Sequence, residues 1–239
     1  MWLALETATD RASVAVGTGG GDAVEESLAG ARRHAGALLP MIEAALRRRE
    51  VTLDRLSGVV VSDGPGSFTG LRVGASVAKA LAWSRRLPLW TAPSLVVRAA
   101  GVTGPEGALV VAVSDALRGE VYAAAVRVGR GRINVELEPG VWRPEALAKL
   151  DLAPDALVGE APAEVVTELE RWSGLEMVMP PRGAPHAATL IELVTTDGGA
   201  RRVVDVQGWE PEYGRPAEAQ ARWEIAHGRP LPDSVGGPR

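Results

Sequence analysis

Two carboxylates and one glycine-rich run are the residues of this chain best placed to do chemistry. Glu6 and Asp115 each stand near the end of a short apolar stretch, residues 2 to 7 and 108 to 114. Two strand-end acids facing one cleft are suited to magnesium and nucleotide phosphates. The run GPGSFTGLRVG, residues 64 to 74, lies between an apolar strand pattern at 58 to 62 and a long helical pattern at 67 to 85. Backbone amides and a helix dipole can receive an anion at such a junction, with Gly64, Gly66 and Ser67 as the candidate contacts. It is not a Walker loop, because the nearest lysine is Lys79, more than two helical turns on. Nor do Gly64, Gly66 and Gly70 have the dinucleotide-binding spacing. Without a ligand, the same run reads as a structural strand-to-helix turn.

Other chemistry is poorly equipped. There is no cysteine, which removes disulfides, thiol nucleophiles and cysteine-based zinc sites. Histidine occurs only at His34, His186 and His227, so no helical two-histidine metal site is present. Ser67 lacks the G-x-S-x-G setting of a hydrolase nucleophile. No catalytic residue and no metal ligand is assigned. The net charge of −4 argues against strong autonomous binding of nucleic acid. The N-terminus carries no secretory pattern and no stretch approaches a membrane span, so the cytoplasm is the expected location.

The helix after the glycine run carries a second signal. Gly70, Gly74, Ala78 and Ala82 recur every four residues and share one face. Interior glycines each cost about 1 kcal/mol relative to alanine, so the stripe requires a packing reason. Close contact with the chain's own sheet and close contact with a partner helix both supply one. In the preceding helical pattern, residues 34 to 49, Ala35, Leu38, Leu39, Ile42, Ala45 and Leu46 form an apolar stripe that Met41 broadens. Pro40 predicts a kink or a late helix start. A broad apolar helix beside a small-residue helix reads as a pairing surface, or as surface covered by the chain's own loops.

These elements must be positioned by an α/β scaffold. With 239 residues and 46% hydrophobic content the chain can bury sizeable cores, built mainly from Leu, Val and Ala because aromatics are 4%. Strands at 2 to 7, 12 to 17 and 22 to 28, the two helices and the strand at 58 to 62 give the order βββαβα. A strand near 87 to 90 and a short helix from Ser94 follow. The order restarts after Gly104-Pro105, with strands at 108 to 114, 120 to 128 and 131 to 138. Helices at 144 to 150, 162 to 172 and 185 to 195 alternate with strands near 156 to 159 and 175 to 179. A last helix at 216 to 227 precedes a Pro/Gly-rich tail expected to be mobile. The expected fold is α/β, with two actin-like (ribonuclease H-like) domains in tandem at 1–100 and 101–227, and a tail at 228–239.

The motifs together resemble one family, the TsaB (YeaZ) proteins of bacterial tRNA threonylcarbamoyladenosine synthesis, within the actin-like ATPase superfamily. LALETAT at 3 to 9, His34 with Leu38-Leu39-Pro40, GPGSFTGLRVG, APSL at 92 to 95, DALRGEVYAA from Asp115 and PEYGR at 211 to 215 agree in order. The resemblance implies a non-catalytic partner of TsaD, the catalytic subunit, whose metal-binding histidine pair the family lacks. It implies pairing with TsaD through the two N-terminal-domain helices, at Leu38, Leu39, Ile42, Leu46, Phe68, Gly70, Gly74 and Ala78. It also implies a homodimer in isolation, the ATPase TsaE as a further partner, and tRNA reached through the complex.

Two departures bear on the cleft. Glu6 stands where the family has a strand-end Asp, and Leu117 separates Asp115-Ala116 from Arg118. Both weaken a claim that the cleft binds ATP and magnesium as active superfamily members do. No cofactor is therefore expected to bind this chain strongly by itself, and ATP with magnesium is left to the assembled complex. The alternative reading is a stand-alone ATPase or small-molecule kinase using Glu6 and Asp115.

Overall fold

Alternation along the first strand decides the layering: Leu3 and Leu5 point into one apolar cluster while Ala4 points into another. The computed structural model describes residues 1–30, 34–102 and 104–214. The elements are β1 (Trp2–Glu6), β2 (Arg11–Gly17), β3 (Val24–Ala29), α1 (His34–Arg48), β4 (Gly58–Ser62), α2 (Phe68–Arg85), β5 (Leu89–Ala92) and α3 (Ser94–Ala100). They continue with β6 (Ala108–Asp115), β7 (Val121–Gly129), β8 (Arg132–Trp142), α4 (Pro144–Leu147), β9 (Ala156–Glu160), α5 (Ala163–Ser173), β10 (Met177–Val178), α6 (Ala187–Val194) and β11 (Arg201–Arg202). The βββαβα order is present twice.

One sheet runs β11-β5-β4-β1-β2-β3 and the other β10-β9-β6-β7-β8. In each, the first strand pairs antiparallel with the second and parallel with the fourth of its repeat. Leu3, Leu5, Val14, Val16, Val59 and Val61 meet α1 and α2 on the outer face of the first sheet. Its inner face shares a core with the second sheet through α3 and α6. Leu109, Val111 and Val113 meet α4 and α5 on the far side. The layers are thus helices, sheet, helices, sheet, helices, with the central helix layer common to both units.

Several expectations are corrected. The division at residue 100 does not separate the units, because α6 lies against β1 and β2 and β11 pairs with β5. Residues 187 to 214 therefore return to the first sheet. A helix starting after Pro40 is also overturned: α1 begins at His34 and runs through Pro40. Gly36, whose carbonyl loses its partner amide to Pro40, is exposed, so water can satisfy it. The helix expected at 216 to 227 and the tail at 228 to 239 lie outside the described residues.

Candidate functional site

The turn between β4 and α2 is closed upon its own chain. Ser67 caps α2, its hydroxyl accepting the Gly70 amide at 3.2 Å, while its own amide donates to Ala8 O at 2.7 Å. Ser94 donates its amide to Gly64 O at 2.8 Å. Gly64 has φ +100°, and a Cβ there would collide with Glu212 O, as one at Gly66 would with Ala8 O. The expected anion contact at Ser67 is therefore corrected. Ser67's amide and hydroxyl are spent inside the fold, and Glu212 covers Gly64.

The two acids are not brought into one ligand site. Glu6 is fully buried, with Oε1 accepting the Ala8 amide at 2.7 Å and Oε2 without a hydrogen-bond partner among the described residues. Burial pushes its carboxyl up to about 7, against the weaker pull of the Ala8 amide, the nearby Ser62 hydroxyl, Arg98 and His186. Asp115 is exposed and accepts the Leu117 amide at 2.7 Å, closing the β6–β7 turn in which Leu117 and Arg118 take positive φ. A buried, partly protonated Glu6 and a turn-binding Asp115 do not fit a magnesium–nucleotide pair. Among the described residues, no group of three His, Asp or Glu side chains is placed to hold a metal ion.

Polar groups between the sheets serve cohesion. Arg98, buried on α3, donates to Glu160 at the end of β9 at 2.7 Å, joining the two units. His186 Nδ1 lies 3.2 Å from Glu25 Oε2, and this hydrogen bond raises the imidazole above its ordinary value despite partial burial. Burial pushes Glu25 up, but the His186 hydrogen bond and charge outweigh it and the net shift is down.

The helices present a different face from the one expected. On α2, Gly70, Gly74 and Ala78 are buried, and a Cβ on either glycine would strike Thr7 in the turn after β1. On α1, Leu38, Ile42 and Leu46 are buried in the core beneath the helix. These six assignments to a partner interface are corrected: the small-residue stripe seats α2 on its own sheet. Leu39 and Phe68 remain, 57% and 38% exposed. Beside the buried stripe, Phe68, Arg72, Ser76 and Ala80 form a second row at four-residue spacing that faces solvent. Exposed Ala35, Gly36 and Leu39 occupy α1. The outward row combines one aromatic and one cation with small residues that let another helix approach.

Sequence reasoning missed the segment after β11. Val203 donates to Leu89 O at 2.9 Å, and Val203, Val206 and Trp209 pack on the core under α1 and α2. Lys79 donates to the carbonyls of Gln207 and Trp209 at 2.9 and 2.8 Å. The segment then crosses the glycine turn and sets the Tyr213 ring against Phe68, centroids 4.6 Å apart. Its only sequence signal was the PEYGR motif.

Comparison with known proteins follows this geometry. The family model for TsaD, tRNA N6-adenosine threonylcarbamoyltransferase, matches residues 28–179. The chain is 30% identical over 201 residues to the tRNA threonylcarbamoyladenosine biosynthesis protein TsaB of Bacillus subtilis, covering 80% of this chain and 84% of that protein. It is 50% identical over 58 residues to the tRNA N6-adenosine threonylcarbamoyltransferase of Geobacter sulfurreducens, 24% of this chain and 17% of that one. The solved structure of YeaZ from Pseudomonas aeruginosa superposes with a TM-score of 0.71 at 26% identity, covering 89% of this chain and 98% of that chain.

Proposed function

Because the chain belongs to the TsaB family of tRNA threonylcarbamoyladenosine biosynthesis proteins, we propose that it acts in that synthesis as a non-catalytic partner of TsaD. The observation that carries this reading is the contrast between two parts of the first unit. The strand-end region that serves a ligand in an active enzyme of this fold holds a buried Glu6 and a Ser67 amide already spent on Ala8. The outward row of α1 and α2 instead leaves Leu39, Phe68 and Arg72 exposed.

In this reading, TsaD docks on the outward row. The TsaD family match spans both α1 and α2, so TsaD carries a counterpart of this helix pair, and two like pairs can stack as a four-helix contact. The same face supports a homodimer when TsaD is absent. TsaE, ATP with magnesium, and tRNA belong to the assembled complex in this proposal, because the chain's own cleft residues do not fit a nucleotide. The adenosine beside the anticodon is the target of the complex. The cytoplasm remains the proposed location; no helix among the described residues is long and apolar enough to cross a membrane.

Reconstitution tests it. The chain is mixed with TsaD and TsaE from its own organism, a threonylcarbamoyl-adenylate donor and tRNA, and complex formation and modified adenosine are measured together. Modification that requires this chain, but survives Asp115→Asn in it, is expected. Modification without the chain, or ATP turnover by the isolated chain that Asp115→Asn abolishes, would overturn the proposal.

A further inference from the structure

We infer that Tyr213 belongs to the partner-binding face, and that residues 203 to 214 act as a strap that fixes the Phe68 ring in the orientation a partner meets. This inference rests on the α1–α2 docking face proposed above. The candidate interface drawn from sequence held only helix residues, yet Phe68 does not stand alone at the start of α2. Its ring lies against the Tyr213 ring, 4.6 Å away between centroids, and the Arg72 guanidinium lies over it, 5.3 Å from its centroid. A tilted aromatic pair with a cation on one ring removes rotamer freedom before any partner arrives. A presented aromatic whose rotamer is already set loses less entropy on docking.

The strap is anchored on both sides of Tyr213. Upstream, Pro211 is buried, the Glu212 amide donates to Asp63 O at 2.6 Å, and Arg201 bridges Asp63 and Glu212 at 2.9 and 3.2 Å. Downstream, Gly214 lies so close to Pro65 and Tyr122 that a Cβ there would overlap both, and the Tyr122 hydroxyl donates to Tyr213 O at 3.3 Å. Tyr122 lies on β7 of the second sheet, so the strap ties the presented ring to both units. Tyr213 itself is half-buried, beside the exposed Phe68. Among the described residues the Tyr213 hydroxyl has only a 3.4 Å contact with Glu210, so the ring rather than the hydroxyl is the working part.

The partner this face fits is a helix pair of the TsaD type, which meets Leu39 from α1, Phe68 and Arg72 from α2 and Tyr213 from the strap as one patch. Affinity for TsaD is measured by titration calorimetry for the wild-type chain, Tyr213→Ala, Tyr213→Phe and Leu39→Glu, with melting temperatures recorded alongside. Tyr213→Ala is expected to weaken binding about tenfold and Tyr213→Phe to stay within about twofold of wild type. Hydroxyl-radical footprinting of the wild-type pair gives a readout that needs no variant to fold: Tyr213 oxidation should fall when TsaD is added. Wild-type affinity in Tyr213→Ala with lost affinity in Leu39→Glu, or Tyr213 oxidation unchanged in the complex, overturns the strap and leaves the helix face standing. Wild-type affinity in every variant removes the face itself.

Discussion

A methyl group on Gly70 would stand well inside 3.0 Å of the Thr7 carbonyl oxygen, so the glycine lets α2 rest directly on the turn that follows β1. A backbone carbonyl cannot step aside, and alanine here must push the helix off the sheet. Gly70→Ala is expected to cost about 3 kcal/mol, the upper part of the overpacking range. At Gly74 the obstacle is the Thr7 hydroxyl, which has no hydrogen-bond partner among the described residues to lose if it rotates. Gly74→Ala should cost about 1 kcal/mol, since relief from glycine's helix penalty offsets part of the crowding. Urea unfolding of both variants gives the ordering; equal stabilities would contradict this seating of α2.

Ser67→Ala removes the hydroxyl that caps α2 through the Gly70 amide. A loss of about 1 kcal/mol is expected, the usual cost of an N-cap. The same denaturant titration reads it, and Ser67→Asp should restore most of the loss.

Glu6 gives a pH dependence of definite sign. Its carboxyl rises from 4.5 to about 7 on folding, so the folded chain binds more protons than the unfolded chain between those values. The corresponding stability is fully present below pH 4.5, falls as pH rises, and is gone above pH 7. At 1.36 kcal/mol per unit the span is about 3 kcal/mol. Glu6→Gln keeps an oxygen for the Ala8 amide and never ionises, so it should match the wild type near pH 4 and exceed it at pH 8. His186, raised by Glu25, loses stability in the same direction above 6.5 in both proteins and is the smallest of the influences on Glu6, so the difference between them reports mainly Glu6. Parallel stability curves for the two proteins would refute the assignment.

Arg98 and Glu160 should respond unequally. Arg98 is almost wholly buried while Glu160 is one-third exposed, so Glu160→Ala leaves a guanidinium inside the fold without its partner. That should cost about 3 kcal/mol, whereas Arg98→Met removes the buried charge together with its need and should cost less. Thermal unfolding that ranks Arg98→Met as the worse variant would contradict a cohesive role for this pair.

The doubled βββαβα order was legible because its signals are local: apolar runs of strand length, turn residues between them, and a serine cap before α2. The small-residue stripe was legible too, but its direction was not. Gly70-Gly74-Ala78 and Phe68-Arg72-Ser76-Ala80 both run at four-residue spacing on α2, and only the position of Thr7 decides which row lies inward. Tyr213 could not be paired with Phe68 because the contact spans most of the chain and depends on β11 returning to the first sheet through a two-residue strand. Glu6 looked like a ligand because strand-end acids often are; its burial follows from long-range packing of α2 and α6 against β1, which no local pattern reports.

The central claim is that the outward row of α1 and α2 is the surface TsaD meets. Its most direct test is the dissociation constant of the chain with TsaD for Leu39→Glu and Arg72→Glu, beside Val141→Glu on β8 of the second sheet as an exposed control. Leu39→Glu and Arg72→Glu should each weaken binding about tenfold or more, with Val141→Glu at the wild-type value. Wild-type affinity in both helix variants would contradict the account.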